Sequence, residues 1–297
     1  MITTKTISIP CFHLDQIAQS GQCFRMTPLD HGGYSVISSG RYLEIQEQPS
    51  LESSQFSFTC QETDLDFWFQ YFDLNTDYQA ILNSIQPNDA YLTAAGKEGS
   101  GIRILRQDLW EMIITFIISQ QKTIPAIRQA VENLSRQYGS LIKESLSGPI
   151  YAFPSPEQLA GASLEDLLNL KLGYRAKYIL KTTEDACTGS LDLEYLKTLD
   201  YSHAMTYIKR FYGIGEKVAN CICLFGLHHI DAFPVDTWIQ KILMAEYYPR
   251  HPKRYQSIPK SALWDTLISD HFGCYNGFKG VMQQYIFYYE RSRSGRT

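Results

Sequence analysis

The stretch that decides the fold is residues 211–237, FYGIGEKVANCICLFGLHHIDAFPVDT. It opens with Gly213-Ile214-Gly215, and glycine both adopts positive φ and lets an anion approach the backbone closely. Apolar residues then recur at helical spacing from Ile214 to Phe225. Because the preceding run, 203–211, also has a helical pattern, the sequence predicts a helix, a hairpin turn and a second helix. The amides of such a turn can bind an anion, and a phosphodiester is the natural one.

Two reactive side chains are predicted on the second helix of this unit. Lys217 lies in its first turn, where the positive end of the helix favours an uncharged amine. A neutral lysine amine attacks carbon electrophiles. Cys221 follows four residues later, so it is expected to face the same pocket as Lys217.

A carboxylate follows this helix at a corner of the chain. Pro234-Val235-Asp236 places Asp236 nineteen residues after Lys217, directly before a predicted helix that it can cap. A capping carboxylate is held rigidly, and beside an amine it can stabilise a developing cation. Taken singly, a first-turn lysine is usually solvated, an aspartate before a helix is usually only a cap, and Gly-x-Gly is weak evidence. Their combination at this spacing favours a functional site.

Composition bounds the class of protein. The chain has 297 residues, 44% of them apolar, a net charge of -4 and a pI of about 6.0. This balance argues against a protein that coats nucleic acid by charge alone. No run approaches the ~18 apolar residues of a membrane span, and no basic region precedes an apolar one near residue 1. We therefore expect an intracellular, cytoplasmic protein. Association with the nucleoid would follow if the predicted turn binds DNA in a bacterium.

Cysteine and charge patterns add two expectations. The seven cysteines are odd in number and scattered, which predicts free thiols in a reducing compartment. Two runs, 171–183 and 249–260, each carry four cations and no acid, and a third group of arginines comprises Arg291, Arg293 and Arg296. Charge runs are usually solvated faces, so these runs permit a polyanionic partner without demonstrating one.

The periodicity of the sequence changes near residue 64. Before it, short alternating runs such as 34–37, 42–45 and 56–59 predict antiparallel strands and hairpins. From Asp64 onward, apolar residues recur at helical spacing, and we expect the chain to stay helical. The predicted fold class is therefore α+β, with an antiparallel β-rich domain at 1–105 and a larger all-α domain at 106–297.

Motifs along the chain carry a resemblance to a known family. The hairpin with its lysine and downstream Pro-Val-Asp resembles that of the helix-hairpin-helix DNA glycosylase superfamily, and within it the 8-oxoguanine DNA glycosylases. Four further segments resemble motifs of that family: Ser20-Gly21-Gln22-Cys23-Phe24-Arg25, Arg103-Ile104-Leu105-Arg106-Gln107-Asp108, Leu172-Gly173-Tyr174-Arg175-Ala176-Lys177-Tyr178 and Gln283-Gln284-Tyr285-Ile286-Phe287. The resemblance implies a TATA-binding-protein-like antiparallel sheet domain joined to a helical glycosylase domain.

The same resemblance implies an activity. Such an enzyme flips a damaged nucleotide out of the duplex, because a reagent cannot reach C1′ of a stacked base. Lys217 would attack C1′, and Asp236 would stabilise the oxocarbenium-like transition state and the ring-opened Schiff base before β-elimination. The implied activity is glycosylase plus lyase in base excision repair, with 8-oxoguanine as the lesion.

Further residue roles are carried over from the family. The Gly21 carbonyl would accept the N7 hydrogen that 8-oxoguanine has and guanine lacks, Cys221 and Phe287 would stack on the base, and Gln283 would read its Watson–Crick edge. Tyr174 matches the aromatic wedge and Arg175 a residue that contacts the estranged cytosine. The remaining predicted DNA contacts are Gln121, Lys122, Gly213, Gly215 and Trp238.

The sequence departs from the family's eukaryotic members at two places. They carry an Asn-Asn-Asn run followed by an arginine that reads the opposite cytosine, whereas Ala126 occupies the arginine's place here. Alanine cannot donate a hydrogen bond to cytosine, so we expect relaxed selectivity for the opposite base. Trp238 stands where those enzymes have a histidine near a phosphate, which puts that contact in question.

Three other classes of protein share parts of this pattern. Adenine- or thymine-glycol-directed members close an iron–sulfur cluster with four cysteines, but only Cys274 lies beyond Cys223, so no such cluster is expected. Alkylbase glycosylases lack the lysine. A non-catalytic helix-hairpin-helix module would use the hairpin amides and a monovalent cation for phosphate contact alone.

The expected partner is double-stranded DNA that contains an oxidised purine, bound by a monomer. The chemistry requires no divalent metal or other cofactor, and His228-His229 are more typical of a loop than of a metal site. A cation held by hairpin carbonyls is the one exception that the sequence allows.

Overall fold

The computed structural model describes residues 1–49, 54–145 and 148–295. Its N-terminal part contains a sheet with strand order β1-β5-β4-β3-β2, in which every neighbouring pair is antiparallel. The strands are β1 (Ile2–Ser8), β2 (Met26–Pro28), β3 (Tyr34–Ser38), β4 (Arg41–Gln48) and β5 (Gln55–Gln61).

The β3–β4 hairpin forms where the sequence predicts it. Ser39 and Gly40 connect the strands with φ of +48° and +73°, the backbone that a tight hairpin turn requires. Alternate residues of β3 and β4, among them Val36, Leu43 and Ile45, are fully buried on one face. The predicted antiparallel β-rich region is therefore confirmed.

The rest of the described chain is mainly helical, as expected. The helices are α1 (Leu14–Gln19), α2 (Leu65–Tyr71), α3 (Tyr78–Asn83), α4 (Ala90–Glu98), α5 (Leu109–Ile118), α6 (Ile124–Tyr138), α7 (Pro156–Leu159), α8 (Leu164–Asn169), α9 (Arg175–Cys187), α10 (Leu193–Thr198), α11 (Tyr201–Ile208), α12 (Glu216–Phe225), α13 (Thr237–Ile242), α14 (Pro252–Gln256), α15 (Leu263–Phe272) and α16 (Lys279–Arg293). A π-helical turn at Leu243–Tyr247 continues α13. In the described residues, no helix is long and apolar enough to cross a membrane.

One element differs from the sequence prediction of an all-helical second part. A two-stranded antiparallel hairpin, β6 (Leu141–Ser145) and β7 (Gly148–Tyr151), follows α6. Its side chains are exposed or only half-buried. Because neither face enters a core, the alternation of apolar and polar residues that identifies a strand is weak here.

Two hydrophobic cores organise the molecule. The sheet packs against α2, whose Trp68 is fully buried together with Phe72 just beyond it. The second core surrounds α5, all of whose residues are buried and eight of whose ten residues are apolar, as expected of a helix in the middle of a core. Helix α12 packs on α5, and α16 packs on both α4 and α13. The boundary between residues 105 and 106 stays a prediction.

A buried arginine ties the segment before α5 to the N-terminal part. Arg103 is only 2% exposed, and its guanidinium donates to the carbonyls of Pro10 (2.9 Å), Cys11 (3.2 Å) and Asp73 (2.8 Å). The group also lies 4.6 Å from the centre of the Tyr78 ring. The guanidinium thus joins carbonyls of two separate segments through charge-assisted hydrogen bonds.

Replacing this guanidinium is expected to destabilise the fold. Arg103→Met should lower the free energy of unfolding by about 3 kcal/mol, because three carbonyls lose a charged donor and hydrogen bonds to charged groups contribute about 1.5–3 kcal/mol. Urea denaturation measures the change, with Arg136→Met as control, since the Arg136 side chain is 63% exposed and, among the described residues, forms its ion pair with Glu132 of the same helix. Equal stability of the two variants would contradict this role for Arg103.

Candidate active site

The predicted hairpin is present, formed by α11, a turn at 209–215 and α12. Gly213 has φ +86°, and a Cβ there would lie 2.4 Å from Cγ of Tyr178, so both conformation and space require glycine. Gly215 differs from the expectation, because its φ of -90° needs no glycine. A Cβ on Gly215 would meet nothing within 4 Å, so open space lies in front of this residue.

The turn can receive an anion. Among the described residues, no partner lies within hydrogen-bond distance of the Gly213 and Gly215 amides. Gly215 is also the residue from which α12 starts, so its amide lies at the positive end of that helix. This arrangement is typical of a phosphate site, although the roles of Gly213 and Gly215 as DNA contacts stay predictions.

Lys217 points back towards α5. Its Nζ donates to Oγ of Ser119 over 3.2 Å and lies 5.3 Å from the centre of the Phe116 ring. The side chain is half-buried. The amine is thus held by one neutral hydroxyl and one aromatic face, with capacity for a further contact.

Cys221 lies beside Lys217, as its position one turn later predicts. Cys221 is 3% exposed, and burial raises the pKa of its thiol to about 11. The charge of Lys217 opposes this rise in pKa and the charge of Asp236 adds to it. Lys217, Cys221 and Asp236 therefore share one neighbourhood, and the thiol itself stays neutral at physiological pH.

Asp236 caps α13 as predicted. Its Oδ1 accepts from the amides of Trp238 (3.0 Å) and Ile239 (2.9 Å). The preceding corner is fixed by Gln283, whose Nε2 donates to the Pro234 carbonyl over 3.3 Å. The two hydrogen bonds from backbone amides to Oδ1 fix the orientation of the carboxylate. Asp236 is half-buried.

Gly21 and Phe287 come together from opposite ends of the chain. A Cβ on Gly21 would lie 3.2 Å from Cε1 of Phe287, and Gly21 has φ +79°. The Arg291 guanidinium lies 5.3 Å from the centre of the same ring. Burial and Arg128 lower the pKa of Arg291 while Asp236 opposes the shift, which places Arg291 near the carboxylate. The base-recognition roles of Gly21, Cys221, Gln283 and Phe287 stay predictions.

Tyr174, the predicted wedge, packs against a neighbouring tyrosine ring. Tyr174 is 44% exposed and meets Tyr178 edge to face at 5.6 Å between ring centres. Tyr178 in turn meets Tyr212 of the hairpin turn at 4.8 Å. An exposed tyrosine whose ring packs on another tyrosine suits insertion into a duplex, and the wedge role of Tyr174 stays a prediction.

Arg175 is less accessible than its predicted cytosine contact implies. The residue is 7% exposed, its Nε donates to the Gln120 carbonyl over 2.7 Å, and Nη1 donates to the Leu172 carbonyl over 3.3 Å. Nη2 also donates to the Gln120 carbonyl. A contact with cytosine therefore has to use the remaining N–H groups of Nη1 and Nη2, on a guanidinium that these two carbonyls already hold.

The loop 119–123, between α5 and α6, forms hydrogen bonds both with the hairpin turn and with the segment before Tyr174. Gln120 Nε2 donates to the Gly213 carbonyl over 3.0 Å, and Lys122 Nζ donates to the Lys171 carbonyl over 3.1 Å. Burial and the nearby Arg175 lower the pKa of Lys122. Gln121 is exposed with φ +52°. Gln121 and Lys122 thus lie on the loop next to the hairpin and stay predicted DNA contacts.

The two cation runs offer less free charge than the sequence indicates. In the first, Lys181 pairs with Glu184 (2.9 Å) and Asp185 (3.0 Å). In the second, Arg250 pairs with Asp89 (2.8 Å) and Arg254 with Asp270 (2.7 Å). These acids lie outside the runs. Arg296 lies outside the described residues.

The other predicted features have these positions. Trp238 is half-buried and Lys241 Nζ lies 5.5 Å from the centre of its ring. His228 is in the loop after α12, as expected, where its Nε2 lies 3.1 Å from the Ile104 carbonyl. Within 1–49, 54–145 and 148–295, no group of three His, Cys, Asp or Glu side chains could hold a metal ion, and no cysteine is paired.

Some side chains at the site were not singled out from sequence. Ser119 and Phe116 contact the Lys217 amine, and Arg128 and Arg291 surround the Gly21 segment. The only sequence signal for Ser119 is its place where the apolar run of α5 ends. The arginines lie on helical faces with no local pattern that distinguishes them from surface charges.

Comparison with known families covers most of the chain. A family model described as "8-oxoguanine DNA glycosylase, N-terminal domain" matches residues 5–113. A second, described as "HhH-GPD superfamily base excision DNA repair protein", matches residues 114–262. The second match contains the hairpin, Lys217 and Asp236.

Individual proteins are similar as well. An N-glycosylase/DNA lyase of Saccharomyces cerevisiae is 29% identical over 243 residues, 73% of this chain and 64% of that protein. A probable N-glycosylase/DNA lyase of Methanothermobacter thermautotrophicus is 30% identical over 193 residues, 58% of this chain and 60% of that protein. The matches thus span less than two thirds of these curated relatives.

A solved structure matches over nearly the full length of both chains. It is the Clostridium acetobutylicum 8-oxoguanine glycosylase/lyase in complex with double-stranded DNA containing cytosine opposite 8-oxoguanine. The two chains share 33% identity and a TM-score of 0.85, and the match covers 99% of this chain and 98% of that one.

Proposed function

Since this chain belongs to the HhH-GPD superfamily of base excision DNA repair proteins, we propose that it is a bifunctional DNA glycosylase and lyase that removes 8-oxoguanine from duplex DNA. The Saccharomyces cerevisiae relative is named an N-glycosylase/DNA lyase, and the Clostridium acetobutylicum protein is named an 8-oxoguanine glycosylase/lyase. The substrate is double-stranded DNA with an oxidised purine, and a DNA substrate implies an intracellular site of action. We propose that a monomer acts without a cofactor.

The reaction follows from a single amine. The lesion is extruded from the stack, and Lys217 Nζ bonds to C1′ while the bond from C1′ to the base breaks. The departing base takes the electron pair and the proton released by the amine. The C1′–O4′ bond then opens to an imine, with O4′ taking a proton. Loss of a C2′ proton expels the 3′ phosphate, and water finally hydrolyses the imine.

Asp236 acts on charge that exists only during the reaction. A carboxylate next to C1′ stabilises the oxocarbenium-like transition state, and fixed charges contribute most when they need no reorganisation. The two amide bonds from α13 supply that rigidity. Cys221 offers a neutral thiol for contact with the base face, since burial keeps its pKa at about 11.

The observation that carries the proposal is the common neighbourhood of Lys217, Cys221 and Asp236 beside an open phosphate-type turn. A non-catalytic DNA-binding module needs the turn, but it needs neither a lysine nor a rigidly capped carboxylate in the neighbourhood of Cys221. A glycosylase/lyase forms a covalent bond with DNA, whereas a non-catalytic module does not.

Borohydride trapping distinguishes the glycosylase/lyase from the non-catalytic DNA-binding module. We expect reduction during incubation with an 8-oxoguanine duplex to give a covalent protein–DNA species, and incubation without reductant to give strand cleavage at the lesion. A duplex with guanine at the same position is the matched control and should give neither. Binding of the 8-oxoguanine duplex without a covalent species or cleavage would favour the non-catalytic module.

The opposite base is expected to matter little. Ala126 has no donor for cytosine, and each good polar base contact contributes about 1–3 kcal/mol of discrimination. Single-turnover excision of 8-oxoguanine opposite C, A, G and T should therefore vary less than about tenfold, and Ala126→Arg should raise the preference for C by about that factor. A steep preference for C in the unsubstituted protein would contradict this proposal.

A further inference from the structure

Two arginines from distant helices hold consecutive carbonyls of the segment before Gly21. Arg128 of α6 donates from Nη2 to the Ala18 carbonyl over 2.7 Å. Arg291 of α16 donates from Nη1 to the Gln19 carbonyl over 2.8 Å. Hydrogen bonds from a charged donor are shorter and stronger than neutral ones, so both carbonyls are firmly directed.

The far side of Gly21 is fixed as well. Gln22 is fully buried, donates from Nε2 to Ser20 Oγ (2.9 Å) and to the Arg103 carbonyl (2.8 Å), and accepts from the Leu105 amide (2.8 Å). Its own carbonyl accepts from Gln107 Nε2 over 2.8 Å. The backbone is therefore anchored at Ala18 and Gln19, three and two residues before Gly21, and at Gln22, directly after it.

Gly21 itself is left open. Its carbonyl accepts no hydrogen bond within the part of the chain that the structure describes. A Cβ on Gly21 would lie 3.2 Å from Phe287, 3.4 Å from Ile124 and 3.7 Å from Nη1 of Arg291. A glycine whose flanking segments are anchored, and whose own oxygen accepts no hydrogen bond from the described residues, is suited to present that oxygen to a ligand.

The positive charges of Arg128 and Arg291 lie close enough to repel each other. Burial and the charge of Arg128 both lower the pKa of Arg291, and Asp236 opposes the shift. Two like charges near one another repel, so the carbonyls and the Asp236 carboxylate must compensate them. Apolar side chains of similar size would fill the same space without repulsion, but they could not direct the carbonyls.

We propose that Arg128 and Arg291 are positioning residues for lesion recognition, which fix the direction of the Gly21 carbonyl so that it accepts the N7 hydrogen of 8-oxoguanine. This inference rests on the proposed function. Guanine has no hydrogen at N7, and a site built to pair a substrate N–H discriminates against the analogue that lacks it. The arginines thereby act on the choice of base through backbone direction, not through contact with the base.

The test compares binding of three duplexes that differ at one position, which holds 8-oxoguanine, guanine or a tetrahydrofuran abasic analogue. Measurements use the Lys217→Gln background so that no strand is cut. Arg128→Met is expected to reduce the preference for 8-oxoguanine over guanine about tenfold, the scale of one good base contact. Affinity for the tetrahydrofuran duplex, which has no base to recognise, should stay within about twofold, because backbone contacts are independent of base identity.

Further variants separate direction of the carbonyl from other effects. Arg128→Lys keeps a charged donor for the Ala18 carbonyl and should recover part of the preference. Arg291→Met should lower the preference as well, although it also removes the guanidinium that lies 5.3 Å from the Phe287 ring. Arg136→Met, on the solvent side of the same helix as Arg128, should leave all three affinities unchanged.

The outcomes are distinct. An unchanged preference in both Met variants would overturn the inference and leave the proposed function standing. A parallel loss of affinity for all three duplexes would also overturn it, since that pattern reports a damaged fold. If the parent protein itself shows no preference for 8-oxoguanine, the proposed function fails and this inference fails with it.

Discussion

Lys217→Gln is expected to bind an 8-oxoguanine duplex but to release no base, cut no strand and form no borohydride-trapped species. Glutamine has an amide in place of the amine, so no bond to C1′ and no imine can form. Removing a covalent nucleophile lowers the rate by at least about a thousandfold. Single-turnover excision and gel analysis of reduced reactions measure both effects.

Two matched variants test whether charge or nucleophilicity is lost. Lys217→Arg keeps the cation near Ser119 but cannot form an imine, so it should be as inactive as Lys217→Gln. Lys197→Gln removes an exposed lysine on α10, which pairs with Glu194, and should retain full activity. Strand cleavage by Lys217→Arg at the unsubstituted rate would show that the lysine acts only through its charge.

Asp236→Asn is expected to slow base release by about 10²–10³-fold, the usual effect of removing one preorganised transition-state contact. Stability should stay nearly unchanged, because asparagine caps a helix about as well as aspartate. The two amides that now bond to Oδ1 of Asp236 can bond to the asparagine oxygen instead. The substitution therefore removes the negative charge and preserves the local structure.

Asp236→Ala provides the complementary variant. It loses both the charge and the cap, so it should match Asp236→Asn in rate and in addition lower the free energy of unfolding by about 1 kcal/mol. Thermal melts and single-turnover rates, measured on the same preparations, separate the two effects. A normal rate for Asp236→Asn would assign this residue to the helix cap alone.

Much of the local structure could be predicted from sequence because its causes are local. The turn at Gly213, the start of α12 and the cap by Asp236 each depend on neighbouring residues. Helical periodicity likewise places Cys221 on the same face as Lys217. Positive φ explains glycine at 213 but not at 215, where φ is -90°. The open space in front of Gly215 agrees with the other predicted reason, the close approach of an anion.

Features that depend on distant segments could not be predicted. Arg250 and Arg254 find their acids at Asp89 and Asp270, so a run without acids in sequence is partly neutralised in space. Arg175 is buried against the Gln120 carbonyl for the same reason. The hydrogen bonds from Arg128 of α6 and Arg291 of α16 to the carbonyls of residues 18 and 19 join distant parts of the chain, and no local sequence pattern predicts them.

The most direct test of the account is to identify the residue that becomes attached to DNA. After borohydride reduction on an 8-oxoguanine duplex, digestion and mass spectrometry should locate the sugar remnant on the peptide that contains Lys217, with Nζ as the point of attachment. A remnant on any other residue, or an unmodified Lys217 in protein that has cut the strand, would contradict the central claim.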